Sequence, residues 1–151
     1  MKTLAKDFRL LCVAAVVATL FTAGCSMAGM KDSNAGAMPG ADLTGAQEVP
    51  PASTGASGKS TIKIGADKSV TGAVTVSGIN ATAAHIHEAA KGANGPVIIP
   101  LAKSSDTTFT VPANTQLTDA QYASYMAGNL YVNVHSAAHP GGEIRAQLSA
   151  K

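Results

Sequence analysis

The sequence predicts an all-β domain, an antiparallel Greek-key β-sandwich or barrel interrupted by one short crossover helix. Three observations carry that expectation. Hydrophobic residues make up 46% of the 151-residue chain and charged residues only 13%, so there is enough apolar material for one core and too little charge for a disordered solvating segment. Aromatic residues are scarce at 4%, with no Trp, while there are 15 Gly. That composition suits short strands and many turns better than helices packed through long side chains. From Asp42 to Ala150 apolar residues recur with period two in short runs bounded by Gly, Pro, Asn or Ser, and period two is the signature of a strand with one face buried.

Residues 1–24 read as a targeting segment. Lys2, Lys6 and Arg9 precede the uncharged apolar run Leu10–Phe21, which is too short to span a bilayer as a stable helix and fits the apolar core of a signal peptide. Thr22-Ala23-Gly24-Cys25 resembles the lipobox of bacterial lipoproteins, departing from it at Thr22, where an aliphatic residue is usual. Cys12 falls inside the apolar run, so Cys25 has no partner for an intramolecular disulfide in a processed chain, and lipidation at Cys25 explains a lone exported thiol. The resemblance implies a membrane partner reached through that anchor, and Ser26 implies the outer membrane, on its periplasmic side. Residues 25–41 are rich in Gly, Ala and Ser without apolar periodicity and read as a flexible tether. Met27, Met30 and Met38 are soft donors there but have no fixed spacing, so the linker reading is preferred.

The domain occupies residues 42–151. Ile62 and Ile64 share one face of a short strand, and Val70, Val74 and Val76 oppose Thr71, Thr75 and Ser77. Val97, Ile99 and Leu101 repeat the pattern, with Pro100 marking an edge strand or bulge. Phe109 and Val111 continue it. Thr118-Asp119-Ala120-Gln121 is a capping box, and Tyr122, Tyr125 and Met126 follow at helical spacing. Leu130, Val132 and Val134 then oppose Tyr131, Asn133 and His135; after the Pro140-Gly141-Gly142 turn, Ile144, Ala146 and Leu148 oppose Glu143, Arg145 and Gln147. These last two strands form a hairpin. About seven strands at this spacing make a sandwich or barrel.

Charge excludes a nucleic-acid partner. The formal net charge is +2, but beyond the first nine residues the basic and acidic residues balance, leaving no surplus for phosphate contacts. No G-x-S-x-G, P-loop or H-E-x-x-H motif occurs, and the glutamates lack a recognisable paired spacing. Glu143 and Arg145 share the His135 side of the hairpin, where a cross-strand ion pair is the simplest reading.

The histidines are the chemical signal. His85 and His87 alternate onto one strand face about 7 Å apart, and His135 lies on the polar side of its own strand, with His139 four residues on in a turn. Two imidazoles on one strand converge on a transition metal when a neighbouring strand supplies a third. His85, His87, His135 and His139 are therefore the candidate metal ligands, with Met126 a weaker soft donor. Glu88 is turned to the other face by strand alternation. Copper is expected over zinc, because no thiolate or carboxylate belongs to the set and copper(II) stands above zinc in affinity.

Four separated stretches then resemble one family: Leu43–Pro51, Ala84–His87, Gly95–Val97, and Tyr131–His135 with Gly141–Leu148. Together they are similar to the CHRD domain, the module named from chordin, with Ala146 standing where Gly is usual. His139 falls at a position where relatives carry Asn or an aromatic, so the resemblance assigns it no role. The resemblance implies a β-sandwich with no settled general activity. The His-Ile-His strand is also similar to the copper-binding strand of Cu,Zn superoxide dismutase, but the disulfide pair and His-rich zinc loop of that enzyme are missing, and dismutase activity rests on analogy alone. Two expectations follow: an exported copper-binding lipoprotein that buffers or delivers the metal, or a metal-free envelope module that adheres to another protein.

Overall fold

The computed structural model describes residues 40–150. The signal segment, the tether up to residue 39, Cys25 and the three methionines near it lie outside the described residues.

Eleven strands form: β1 (Ala41–Thr44), β2 (Ser57–Ser60), β3 (Lys63–Ile64), β4 (Val70–Thr71), β5 (Ala73–Ser77), β6 (Ala81–Glu88), β7 (Val97–Pro100), β8 (Ala102–Ser105), β9 (Thr108–Thr110), β10 (Leu130–Ser136) and β11 (Ile144–Leu148). There are more of them than expected because long runs break at local irregularities. Gly72, at φ 111°, separates β4 from β5; its left-handed backbone suits a residue without a side chain. β3 and β4 form a two-stranded sheet, and the other nine strands form one antiparallel sheet in the order β7-β6-β10-β11-β1-β2-β5-β9-β8. β7 and β8 are two halves of one extended run broken at Leu101. The first half pairs with β6 and the second with β9, so the sheet curls round until its ends come from adjacent residues. The result is a nearly closed barrel, which leaves little free sheet edge.

Inside it, Val74, Ile86, Phe109, Leu130, Val132, Val134 and Ile144, period-two positions read from the sequence, are fully buried, and Leu43 joins them. Val97 departs from that reading. It is 48% exposed while Ile99 and Leu101 are buried, because a bulge at Ile86/His87 sets Val97 opposite His87, not on the core side. Pro100 sits in β7, an end strand of the sheet, where its missing N–H costs no ladder bond. β1 opens at Ala41, one residue inside the stretch read as tether.

The helix α1 (Asp119–Met126) starts at the expected box: Gln121 N donates to the Thr118 hydroxyl and Thr118 N donates to Gln121 Oε1. Tyr122 and Tyr125 pack against the core, whereas Met126 is 57% exposed. Thr118→Ala removes the hydroxyl acceptor and is expected to cost about 1 kcal/mol, read as a lower denaturant midpoint with an unchanged slope.

Candidate metal centre

β6 and β10 lie side by side, with His85 opposite Asn133, His87 opposite Tyr131 and Ala83 opposite His135. Ile86 and Val134 point into the core, so strand alternation sends His85, His87 and His135 to the outer face. Their ring centres are 5.6 Å apart for His85 and His87, 4.8 Å for His85 and His135, and 6.1 Å for His87 and His135. One nitrogen from each ring lies within 4.8 Å of those of the other two. The triad does not include His139, whose backbone amide instead donates to the Ser136 hydroxyl in the β10–β11 turn. Met126 stands exposed at the end of α1.

Two rings are oriented by main-chain carbonyls. His87 Nδ1 donates to Gly95 O at 3.0 Å, and His135 Nδ1 donates to Pro140 O at 3.0 Å. A carbonyl only accepts, so each ring carries its proton on Nδ1 and presents a bare Nε2. This is the arrangement that holds metal-binding imidazoles in one tautomer. His135 Nε2 meets His85 Nδ1 at 3.0 Å, whereas His87 Nε2 is buried without any hydrogen-bond partner. A buried acceptor left bare costs free energy, and a metal ion would satisfy it.

The spacing fits that test. Two nitrogens bound to one first-row metal by bonds of about 2.0 Å stand about 2.8–3.5 Å apart for angles between 90° and 120°. The His85–His135 pair at 3.0 Å falls within that range, and a pair standing at the 4.8 Å limit must tighten by about 1.3–2 Å. Ligation through His85 Nδ1 requires its proton to move to Nε2. Burial, followed by the neighbouring His135 and His87, holds His85 below the ordinary histidine range. Burial also holds His135 low, against the opposing pull of the Pro140 carbonyl. Both rings are therefore neutral near pH 7, the form that binds metal.

The outer face around the triad is closed over, which strand alternation alone did not reveal. Tyr131, Asn133 and Arg145 are 2%, 2% and 1% exposed because loops cross above them. Asn94 Nδ2 donates to Val49 O and Arg145 Nη1 donates to Asn94 Oδ1, joining the loop after β6 to the loop after β1. The Tyr131 ring lies parallel to His87, 8° between planes and 4.8 Å between centres, and Arg145 Cζ sits 3.4 Å from the Tyr131 ring centre on the cation–π pattern. The expected Glu143–Arg145 pairing does not form. Glu143 accepts from the Thr54 and Ser136 hydroxyls; burial pushes its pKa up, but these donors outweigh burial and leave it below the usual range. Glu88 accepts from the Ser124 hydroxyl and takes no part in orienting His87.

Sequence reasoning missed Glu48, Asn94, Gly95 and Pro140. The Gly95-Pro96 and Pro140-Gly141 pairs mark turns, but nothing in those pairs says that their carbonyls face an imidazole. Glu48 is 5% exposed. Burial raises its pKa to about 7, partly offset by Arg145, by a hydrogen bond from Asn133 and by the Val49 amide.

A nearly closed antiparallel barrel with three imidazoles gathered on its outer face, two of them aimed by carbonyls, defines a small β-domain equipped to hold a metal ion. The family model for the CHRD domain matches residues 40–148, and the chain belongs to that family. No curated protein and no solved structure matches the chain.

Proposed function

We propose that this protein is an exported CHRD-domain lipoprotein, held at the cell envelope through Cys25, that binds one copper ion at His85, His87 and His135 and buffers or delivers it. The bare, buried Nε2 of His87 carries this reading. The donor set supports copper: three imidazoles with no thiolate or carboxylate in the group suit copper(II), which exceeds zinc in affinity for nitrogen sites. The reading is of metal binding.

The alternative, a metal-free envelope interaction module, rests on the His85–His135 contact, which satisfies both of those nitrogens without an ion. It leaves His87 Nε2 bare. The two readings separate by counting copper on the full chain at pH 7.5. Wild type is expected to bind one equivalent more than the variant in which His85, His87 and His135 are all alanine. Equal stoichiometry would hand the function to the interaction module.

A further inference from the structure

Arg145 is 1% exposed and carries a permanent charge, yet its guanidinium has only neutral partners. Nη1 donates to Asn94 Oδ1 and Nη2 donates to Gln147 Oε1, while the Tyr131 ring covers its face. None of the three ion pairs among the described residues includes it. The carboxylate that feels its charge is Glu48, whose pKa burial raises to about 7 and Arg145 in turn lowers, so near pH 7 it offsets the Arg145 charge only in part. A buried cation with no carboxylate in direct contact is unfavourable for folding, so its place in the stack calls for another reason.

That place is directly behind a candidate ligand. Arg145 stacks on Tyr131, and Tyr131 stacks on His87, which sets the charge within about 8 Å of the His87 ring, where a low-dielectric interior screens it weakly. Tyr131 also accepts a hydrogen bond from Gly95 N, the residue whose carbonyl orients His87. A fixed positive charge at that distance repels a doubly charged ion more than a singly charged one.

We infer that Arg145 is a positioning residue whose buried charge biases the three-histidine centre toward copper(I), raising the copper(II)/copper(I) potential of the bound ion. The inference rests on the copper-binding reading. It adds that the site suits cycling or handing on the reduced ion better than locking away copper(II). Two copper(II) ions are reduced by one electron each from two molecules of an external thiol, which lose two protons to water and join as a disulfide, and the metal leaves as copper(I). The protein supplies no electron and undergoes no change of its own bonds.

The test measures copper(I) and copper(II) affinities separately, by competition with ligands specific for each state, on the full chain at pH 8. Arg145→Gln is expected to raise the preference for copper(II) over copper(I) about tenfold, equivalent to a potential about 59 mV lower. Arg145→Lys replaces a permanent charge with a group that burial can deprotonate, so its ratio is expected to lie between those of wild type and Arg145→Gln even where its melting temperature falls. A purely structural role would lower the stability of both variants and leave the ratio unmoved. Glu48→Gln removes the opposing carboxylate and is expected to shift the ratio the other way, so the inference stays testable if Arg145→Gln does not fold. Stoichiometric copper with an unchanged ratio in every charge variant that folds would overturn the inference alone. Absence of copper from wild type would overturn the proposed function and this inference with it.

Discussion

Replacing His135 or His87 with alanine is expected to weaken copper(II) binding by more than about 100-fold, because loss of a partner that merely orients a ligand already costs about 10–100-fold. His139→Ala is expected to remain within about threefold of wild type. Its ring lies outside the triad, and the bonds it makes in the turn come from its backbone: its N–H donates to the Ser136 hydroxyl, and its carbonyl accepts from Gly142 N. Alanine keeps both. A competitive titration of the four proteins against a chromophoric chelator at pH 7.5 reads the contrast. If His139→Ala weakened binding as much as His135→Ala, the β10–β11 turn would have to fold over the triad and the three-ligand centre would be wrong.

The second large effect concerns Glu48. Its carboxyl is raised from 4.5 to about 7 in the folded chain, so the folded state favours the protonated acid. The stability this contributes is fully present below the unfolded value near 4.5 and is lost as pH rises through about 7. Glu48→Gln cannot ionise. Relative to that variant, wild type is expected to lose about 2–4 kcal/mol of unfolding free energy between pH 4.5 and pH 8. His85 and His135 act in the opposite sense. Their pKa values are held low, so their contribution is present above the unfolded histidine value of about 6.5 and lost as pH falls through the folded one. Comparing metal-free wild type and Glu48→Gln at each pH removes the histidine contribution common to both. Parallel stability curves would mean that Glu48 is ionised throughout and that its unpartnered Oε1 faces solvent on the timescale of titration.

Much of the barrel was legible along the chain. Leu130, Val132 and Val134 against Ile144, Ala146 and Leu148 named the central hairpin and its core face; the observed register pairs Val132 with Ala146 and Val134 with Ile144. Thr118 and Gln121 marked the helix start because a capping box is made within four residues and needs no tertiary context. The outward placement of His85, His87 and His135 followed from period two alone. The bulge that turned Val97 outward did not, since the extra residue appears only when β6 and β7 are paired.

Local periodicity assigned faces, because alternation is a property of the strand backbone itself and holds wherever a strand forms. It left open what covers a face. Only the tertiary structure showed the loop after β6 and the loop after β1 tied together through Asn94, burying Arg145 and Tyr131 on the side read as polar. Only it showed Gly95 and Pro140 carbonyls fixing two imidazole tautomers. The Asn94 contacts join residues far apart in sequence, and the two orienting carbonyls are backbone groups that every residue carries, so no side-chain pattern announces them. Their geometry exists only once the barrel has brought the loops together.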